Sequence, residues 1–259
     1  MISVITCTNR HDSMNTVFDN YLRQTMKDKE LIVILNQDKM DLSFWKEQAK
    51  KLPRVSVFQV PEHLSVGECK NIAAEKTAYS HIAKFDDDDY YAPLYLESAW
   101  SAFEKQGEAD IVGKSSVYFY FQKSKCLGFF PSLYEDRFAK QVVDSTLVFR
   151  KELLKDVCFP KMKVGSDKKF QKDCAAKGFR IFSTDRYNHA VIRSGNPNHH
   201  TWKISDEHLL KGCINLVYTD DYKPLVTGLV QNCTSIWSIF AMIKRMFPTR
   251  LCRPLVSNV

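Results

Sequence analysis

The sequence predicts an α/β protein whose first half is a doubly wound, mostly parallel sheet and whose second half is mixed. Two observations carry this. Apolar runs of strand length alternate with helix-period segments from residue 2 to about 106, the pattern of repeated βαβ units. Past residue 109 that alternation becomes less regular.

Taken in order, Ile2-Ser3-Val4-Ile5-Thr6-Cys7 reads as a buried first strand running into the polar loop Thr8-Asn9-Arg10-His11-Asp12-Ser13. Met14, Val17, Phe18, Tyr21 and Leu22 then recur at helical spacing. Glu30 to Asn36 is a second strand, Leu42 to Leu52 a helix, and Arg54 to Val60 a third strand. Ser65 stands three residues before Glu68, the capping-box spacing, and opens a helix to Tyr79. His81 to Phe85 is a fourth strand ending in Asp86-Asp87-Asp88-Asp89, followed by a helix from Pro93 to about Gln106. In the second half, Ala109 to Tyr120 reads as one long strand or hairpin arm and Asp144 to Arg150 as a strand. Asp167 to Lys177 is a helix closed by Gly178, Phe179 to Ser183 a strand, and Asn188 to Thr201 a polar loop.

Composition narrows the function classes. With 259 residues, 44% hydrophobic and 26% charged, the chain can bury a sizeable core. Of its net +7, residues 222–259 carry +5, from Lys223, Lys244, Arg245, Arg250 and Arg253 with no acid, which leaves +2 for the body. A nearly neutral body argues against an extended nucleic-acid footprint. Eight cysteines occur singly, with no CxxC pair or zinc-ligand spacing. Together with the absence of a secretory pattern at Met1-Ile2-Ser3-Val4, they point to a reducing cytosol. Leu225 to Ile243 has no charge over 19 residues but several polar ones. It is a poor spanning helix, suited to packing on the domain, to a dimer contact between copies, or to resting on the inner face of an anionic membrane.

The four adjacent carboxylates are the sharpest local signal. They repel one another, and at the carboxyl edge of an α/β sheet, where ligands bind, a hard divalent cation relieves that repulsion. A solvated acidic loop explains the same run without a cation.

Four blocks in order resemble family 2 glycosyltransferases of the GT-A fold. They are Ser3-Val4-Ile5-Thr6-Cys7-Thr8-Asn9-Arg10, the first strand and its ending, Gln24-Thr25 before Glu30-Leu31-Ile32-Val33-Ile34, Gly67-Glu68-Cys69-Lys70-Asn71, and Phe85-Asp86-Asp87-Asp88-Asp89-Tyr90 as the DxD element. The resemblance covers residues 1–100 closely and 140–205 loosely. It implies a GT-A domain over 1–221, with a nucleotide-binding half (1–108), an acceptor half (109–221) and a separate tail (222–259). The implied function is inverting, metal-dependent transfer of a sugar from a nucleoside-diphosphate donor, UDP in the first instance, to a glycan or polysaccharide acceptor of the bacterial cell surface.

By the same resemblance, Thr6, Thr8, Asn9, Arg10, Asn36, Lys70, Asn71, Asp86 and Asp87 line the nucleotide-sugar site. Asp88 and His200 hold Mn2+ or Mg2+, and Asp167, after Gly165-Ser166, is the catalytic base. His189 and Arg193 are alternative phosphate contacts, Trp202 is a candidate sugar platform, and Asp89 is expected to cap the following helix. Two departures from the family pattern stand out. Leu35-Asn36 replaces the usual base-recognising aspartates, and Lys70 replaces an arginine, keeping charge but not bidentate geometry. Rival readings are a nucleotidyltransferase, which lacks its glycine-rich phosphate loop here, and a GT-A module that binds nucleotide or glycan without turnover.

Overall fold

The computed structural model describes residues 1–196 and 203–228. The first half alternates as expected: β1 (Ile2–Thr8), α1 (Met14–Leu22), β2 (Lys29–Leu35), α2 (Leu42–Ala49), β3 (Val55–Gln59), α3 (Val66–Glu75) and β4 (His81–Lys84). The chain continues through β5 (Tyr90–Tyr91), α4 (Tyr95–Lys105), β6 (Ile111–Lys114), β7 (Val117–Phe121), β8 (Cys126–Phe130), β9 (Arg137–Ala139) and β10 (Val148–Arg150). The described elements end with α5 (Ser166–Ala176), β11 (Ile181–Thr184), β12 (His189–Arg193), α6 (Asp206–Gly212), β13 (Ile214–Tyr218) and α7 (Lys223–Val226).

An eight-stranded sheet has the order β3-β2-β1-β4-β10-β6-β11-β9, and a five-stranded one the order β13-β8-β7-β12-β5. Strands β3, β2, β1 and β4 are parallel, while β10 runs antiparallel between β4 and β6. The period-two rule assigns the two faces of the large sheet. In β2, Leu31, Val33 and Leu35 pack with Phe18, Tyr21, Trp45, Tyr95 and Phe103 from α1, α2 and α4. The alternate residues Ile32 and Ile34 pack with Cys69 and Ala73 of α3 and Phe170 and Cys174 of α5. Helices on both faces explain why these strands are apolar throughout rather than alternating.

Three readings of the sequence are corrected. The expected long strand or hairpin arm from Ala109 to Tyr120 is two strands in different sheets, of which only the second, β7, is a hairpin arm, paired with β8. The chain changes sheet at Ser115 and Ser116, where Ser183 Oγ accepts from the Ser115 N–H at 2.9 Å and Ser116 Oγ from the Ser132 N–H at 2.8 Å. The expected polar loop from Asn188 begins instead as β12, parallel to β7 and antiparallel to β5. The expected strand at Asp144 starts as a 3-10 turn, Asp144–Thr146, before β10.

One compact unit runs from Met1 to Gly228, so residues 222–228 belong to the body rather than to a separate tail. Val226 is fully buried and the Tyr222 ring stacks on Tyr120 with centroids 4.1 Å apart. Among the described residues no helix is long and apolar enough to cross a membrane. The apolar, basic stretch beyond Gly228 lies outside the described residues.

Candidate active site

The parallel strands β1, β2 and β4 all point their carboxyl ends to one edge, so the loops after Thr8, Leu35 and Lys84 meet there. Antiparallel β10 delivers the opposite end of its own strand to that edge, because Val148 is paired with Ala83. The turn Asp144–Thr146 therefore stands beside the acidic run. Across from it, Gly165 at φ +76, a conformation glycine adopts freely, turns the chain into α5 and sets Ser166 and Asp167 in its first turn.

The four aspartates do not converge on one point: Asp87 and Asp88 share Arg10, while Asp86 and Asp89 take other partners. Asp86 Oδ1 pairs with Lys84 Nζ at 2.7 Å, and its N–H donates to the Tyr91 hydroxyl at 2.8 Å. That hydroxyl donates in turn to the Ser145 carbonyl, while the Tyr91 ring stacks on Phe85 at 3.8 Å. Asp87 accepts from the Thr8 hydroxyl and from the Arg10 guanidinium. Burial still pushes its carboxyl above the ordinary value, against the opposing pull of Arg10 and Thr8. Asp88 meets Arg10 at 3.0 Å, with its side chain 22% exposed. Burial, then the charges of Asp89 and Asp87, push it up to about 8.

Asp89 turns inward. Its Oδ1 accepts from the Ile192 N–H at 3.0 Å and its Oδ2 lies 3.5 Å from His189 Nε2. Burial opposes its ionisation, but these contacts hold its carboxyl below the usual range. The expectation that Asp89 caps the next helix is therefore wrong: α4 begins at Tyr95 with Leu94 before it, and Asp89 instead fastens β12 to the loop after β4. His189 is wholly buried, 3.2 Å from Ser145 Oγ. Arg193 is buried against Asp206 Oδ1 at 2.8 Å and the Ile204 carbonyl at 2.8 Å. His189 thus ties β12 to the loop after β4 and to the turn before β10, and Arg193 ties β12 to the start of α6, rather than standing free at the site edge.

The base candidate Asp167 lies in a buried cluster of charge. Lys70 Nζ stands 2.6 Å from both its oxygens and 3.0 Å from Ser166 Oγ, and Lys84 Nζ lies 3.4 Å from its Oδ2. Burial raises its proton affinity, but Lys84 and Lys70 outweigh it and hold the carboxyl below the ordinary range. Asp144 shows the opposite balance: burial and the Asp167 charge push it up to about 6, against Lys84 and Lys70. Its Oδ1 accepts from Gln171 Nε2 at 3.1 Å.

The remaining expected residues fall into two groups. Thr8, whose hydroxyl also accepts from the Arg10 N–H at 3.0 Å, and exposed Asn9 lie at the edge with the acids. Asn36 follows the end of β2 and donates an amide N–H to the Pro61 carbonyl at 2.8 Å. Thr6 is buried within β1. Asn71 uses both ends of its amide on the Phe159 backbone, at 2.9 and 3.0 Å, and so fastens α3 to the segment before α5. His200 and Trp202 lie outside the described residues.

Lys84 and Asp144 were missed as site residues. Their only sequence signals are a lysine after the short run His81-Ile82-Ala83 and an isolated acid before a strand.

Among the described residues no three His, Cys, Asp or Glu side chains are gathered as a preformed metal cage. The donor chemistry still suits a hard cation that takes most of its ligands from a nucleotide. Asp88 offers carboxylate oxygens whose charge burial and the Asp89 and Asp87 carboxylates penalise, with Arg10 as an existing positive neighbour.

The profile described as Glycosyl transferase family 2 matches residues 3–154. The O-antigen biosynthesis glycosyltransferase WbnJ of Escherichia coli is 34% identical over 119 residues, 44% of this chain and 45% of that protein. The match thus spans less than half of that relative's length. Among solved structures, S. aureus TarS 1-349 in complex with UDP-GlcNAc is similar at a TM-score of 0.61 and 16% identity, covering 82% of this chain and 64% of that one. The mannosyltransferase PcManGT from Pyrobaculum calidifontis, in complex with GDP-Man and Mn2+, is similar at 0.54 and 15%, covering 74% and 56%. At these identities the likeness is one of fold, and the fold is GT-A.

Proposed function

The chain belongs to glycosyl transferase family 2, and we propose that it transfers a sugar, with inversion, from a nucleoside-diphosphate donor to a hydroxyl of a glycan or polysaccharide acceptor. One observation carries the reading. The edge of the large sheet gathers Thr8, Arg10, Asp87 and Asp88, and Lys84 links the adjoining Asp86 to a buried acid, Asp167, whose carboxyl Lys84 and Lys70 hold below the ordinary range. The relatives named above as an O-antigen glycosyltransferase and as a nucleotide-sugar complex support the reaction class.

In this reading the nucleotide lies across the ends of β1 and β2. Asn36, with one amide N–H on the Pro61 carbonyl, presents an oxygen that accepts from a uracil N–H, which favours UDP. Thr8 and Arg10 fix Asp87 toward the ribose, and Asp86 faces the sugar. Asp88 would hold Mn2+ or Mg2+, with His200 as the second candidate ligand. When bound, the cation supplies positive charge to the departing diphosphate. Arg10, already against Asp87 and Asp88, adds a second positive charge at the same place.

Asp167 takes the proton of the acceptor hydroxyl as it attacks the anomeric carbon. Lys70 and Lys84 keep it ionised, the form able to accept, and aim it. A cell-surface polysaccharide is the proposed acceptor class, on the strength of the O-antigen relative.

The test is release of UDP from UDP-sugars with Mn2+ by the parent, Asp88→Ala and Asp167→Ala, with and without acceptor. Asp88→Ala is expected to lose release, and Asp167→Ala to lose transfer while still binding UDP. Equal release by parent and Asp88→Ala removes the metal assignment, and full transfer by Asp167→Ala removes the base.

A further inference from the structure

The proposed reaction gives Asp86 and Asp167 to different substrates, the donor sugar and the acceptor hydroxyl, yet one ammonium reaches both. Lys84 closes β4 and is 6% exposed, at a position where the rest of the strand, His81 to Ala83, is also buried. Its Nζ lies 2.7 Å from Asp86 Oδ1 and 3.4 Å from Asp167 Oδ2, and it donates to the Asp144 carbonyl at 3.1 Å.

Burying an ammonium is costly unless it is paired and hydrogen-bonded. A lysine serving only to neutralise Asp167 would duplicate Lys70, which already contacts both oxygens of that carboxylate. What Lys70 does not reach is Asp86. Among the described ion pairs, Lys84 is the cation that Asp86 and Asp167 share. Its backbone is fixed as well, since the Lys84 N–H donates to the Leu147 carbonyl at 2.8 Å, just past the Asp144–Thr146 turn.

Resting on the reading of Asp86 as donor-side and Asp167 as acceptor-side, we propose that Lys84 is a positioning residue whose ammonium ties those two carboxylates together across the edge of the sheet. The groups facing Asp167 come from every element packed on it. They are Lys70 from α3, Lys84 from β4 with Asp86 in the loop beyond it, Asp144 before β10, and the Cys7 thiol of β1. Removing the Lys84 charge leaves Asp167 with Lys70 against burial and the Asp144 charge, so its proton affinity rises. A lysine present only to fill space would leave that affinity where it is.

The experiment uses the full chain labelled with 13C at the aspartate carboxyls, with the Asp167 signal assigned by its loss in Asp167→Asn. In Lys84→Met, which keeps the length and apolar stem, Asp167 is expected to titrate about one pH unit higher than in the parent, within the range for loss of one close opposite charge. In Lys84→Arg it is expected to stay near the parent. An unchanged titration in a folded Lys84→Met overturns the proposal. Should Lys84→Met not fold, Asp86→Asn tests the same bridge from its more exposed end: Lys84 is then left to Asp167, which titrates lower than in the parent, and no movement overturns the proposal.

The titration uses no turnover, so it fails independently of the catalytic assignment. Full transfer by Asp167→Asn would remove the base while a shifted titration still supports the tie.

Discussion

Lys70 Nζ stands 2.6 Å from each carboxylate oxygen of Asp167, a residue 97 positions further along the chain. The pair joins α3 to the first turn of α5, and both side chains are nearly excluded from solvent. This one contact bears on one of the two departures read from the sequence. A lysine stands where the family carries an arginine, and its point charge sits over the carboxylate instead of forking toward a diphosphate.

Removing that lysine strands a buried carboxylate. Breaking one partner of a buried pair costs about 3–5 kcal/mol, and the remaining contact with Lys84 places Lys70→Met near the lower end. We expect a loss of roughly 3 kcal/mol in urea unfolding with an unchanged m-value. A loss under about 1 kcal/mol, the scale of an exposed pair, would show that Lys84 alone suffices.

Neighbouring acids are expected to behave oppositely. Asp88→Asn leaves the fold intact and abolishes the Mn2+-dependent part of UDP binding measured by calorimetry. Asp89→Ala leaves the Ile192 N–H unpaired and His189 without its carboxylate in the interior, so it destabilises by about 3 kcal/mol. Equal thermal stability of the two variants would contradict the assignment of Asp89 to the framework.

Asp144 supplies a pH dependence. Its folded pKa, about 6, lies above the ordinary aspartate value. An acid shifted upward contributes stability that is present below the unfolded pKa and lost as pH rises through the folded one. Asp144→Asn removes that loss. The Tm of Asp144→Asn relative to the parent is therefore expected to rise from pH 4 to pH 7; a flat or falling difference contradicts the assigned environment.

Gly67 tests the seating of α3 under the site. A Cβ there would come 1.9 Å from the Pro160 carbonyl oxygen, whereas one at Gly107 would meet nothing within 4 Å. Gly67→Ala is expected to destabilise by about 1–3 kcal/mol as the helix is pushed off its neighbour. Gly107→Ala should stay within about 0.5 kcal/mol. Thermal unfolding of both distinguishes a packing effect from a general intolerance of alanine.

The elements that were legible in the sequence are those whose signal lies within a few residues. The Ser65–Glu68 capping box forms as its spacing predicts, with Glu68 accepting from the Ser65 N–H at 2.9 Å. The apolar runs of β1, β2 and β4 pair in the parallel order that strand–helix alternation implies. The long strand from Ala109 failed because the break at Ser115 and Ser116 carries no glycine or proline. What bends the chain there is hydrogen bonding to Ser183 and Ser132, far away in sequence.

By itself, then, the sequence determined the alternating sheet, the family resemblance and the edge at which Thr8, Arg10 and the acids gather. Only the tertiary structure decided what each acid does. Four identical side chains in a row carry no local information to separate them. The division comes from β12 arriving with the Ile192 N–H for Asp89, β1 with Thr8 for Asp87, the loop after it with Arg10 for Asp87 and Asp88, and β4 with Lys84 for Asp86. Periodicity is a property of neighbours in the chain, whereas the charge state of a buried carboxyl is set by groups within a few ångströms, wherever in the chain they originate.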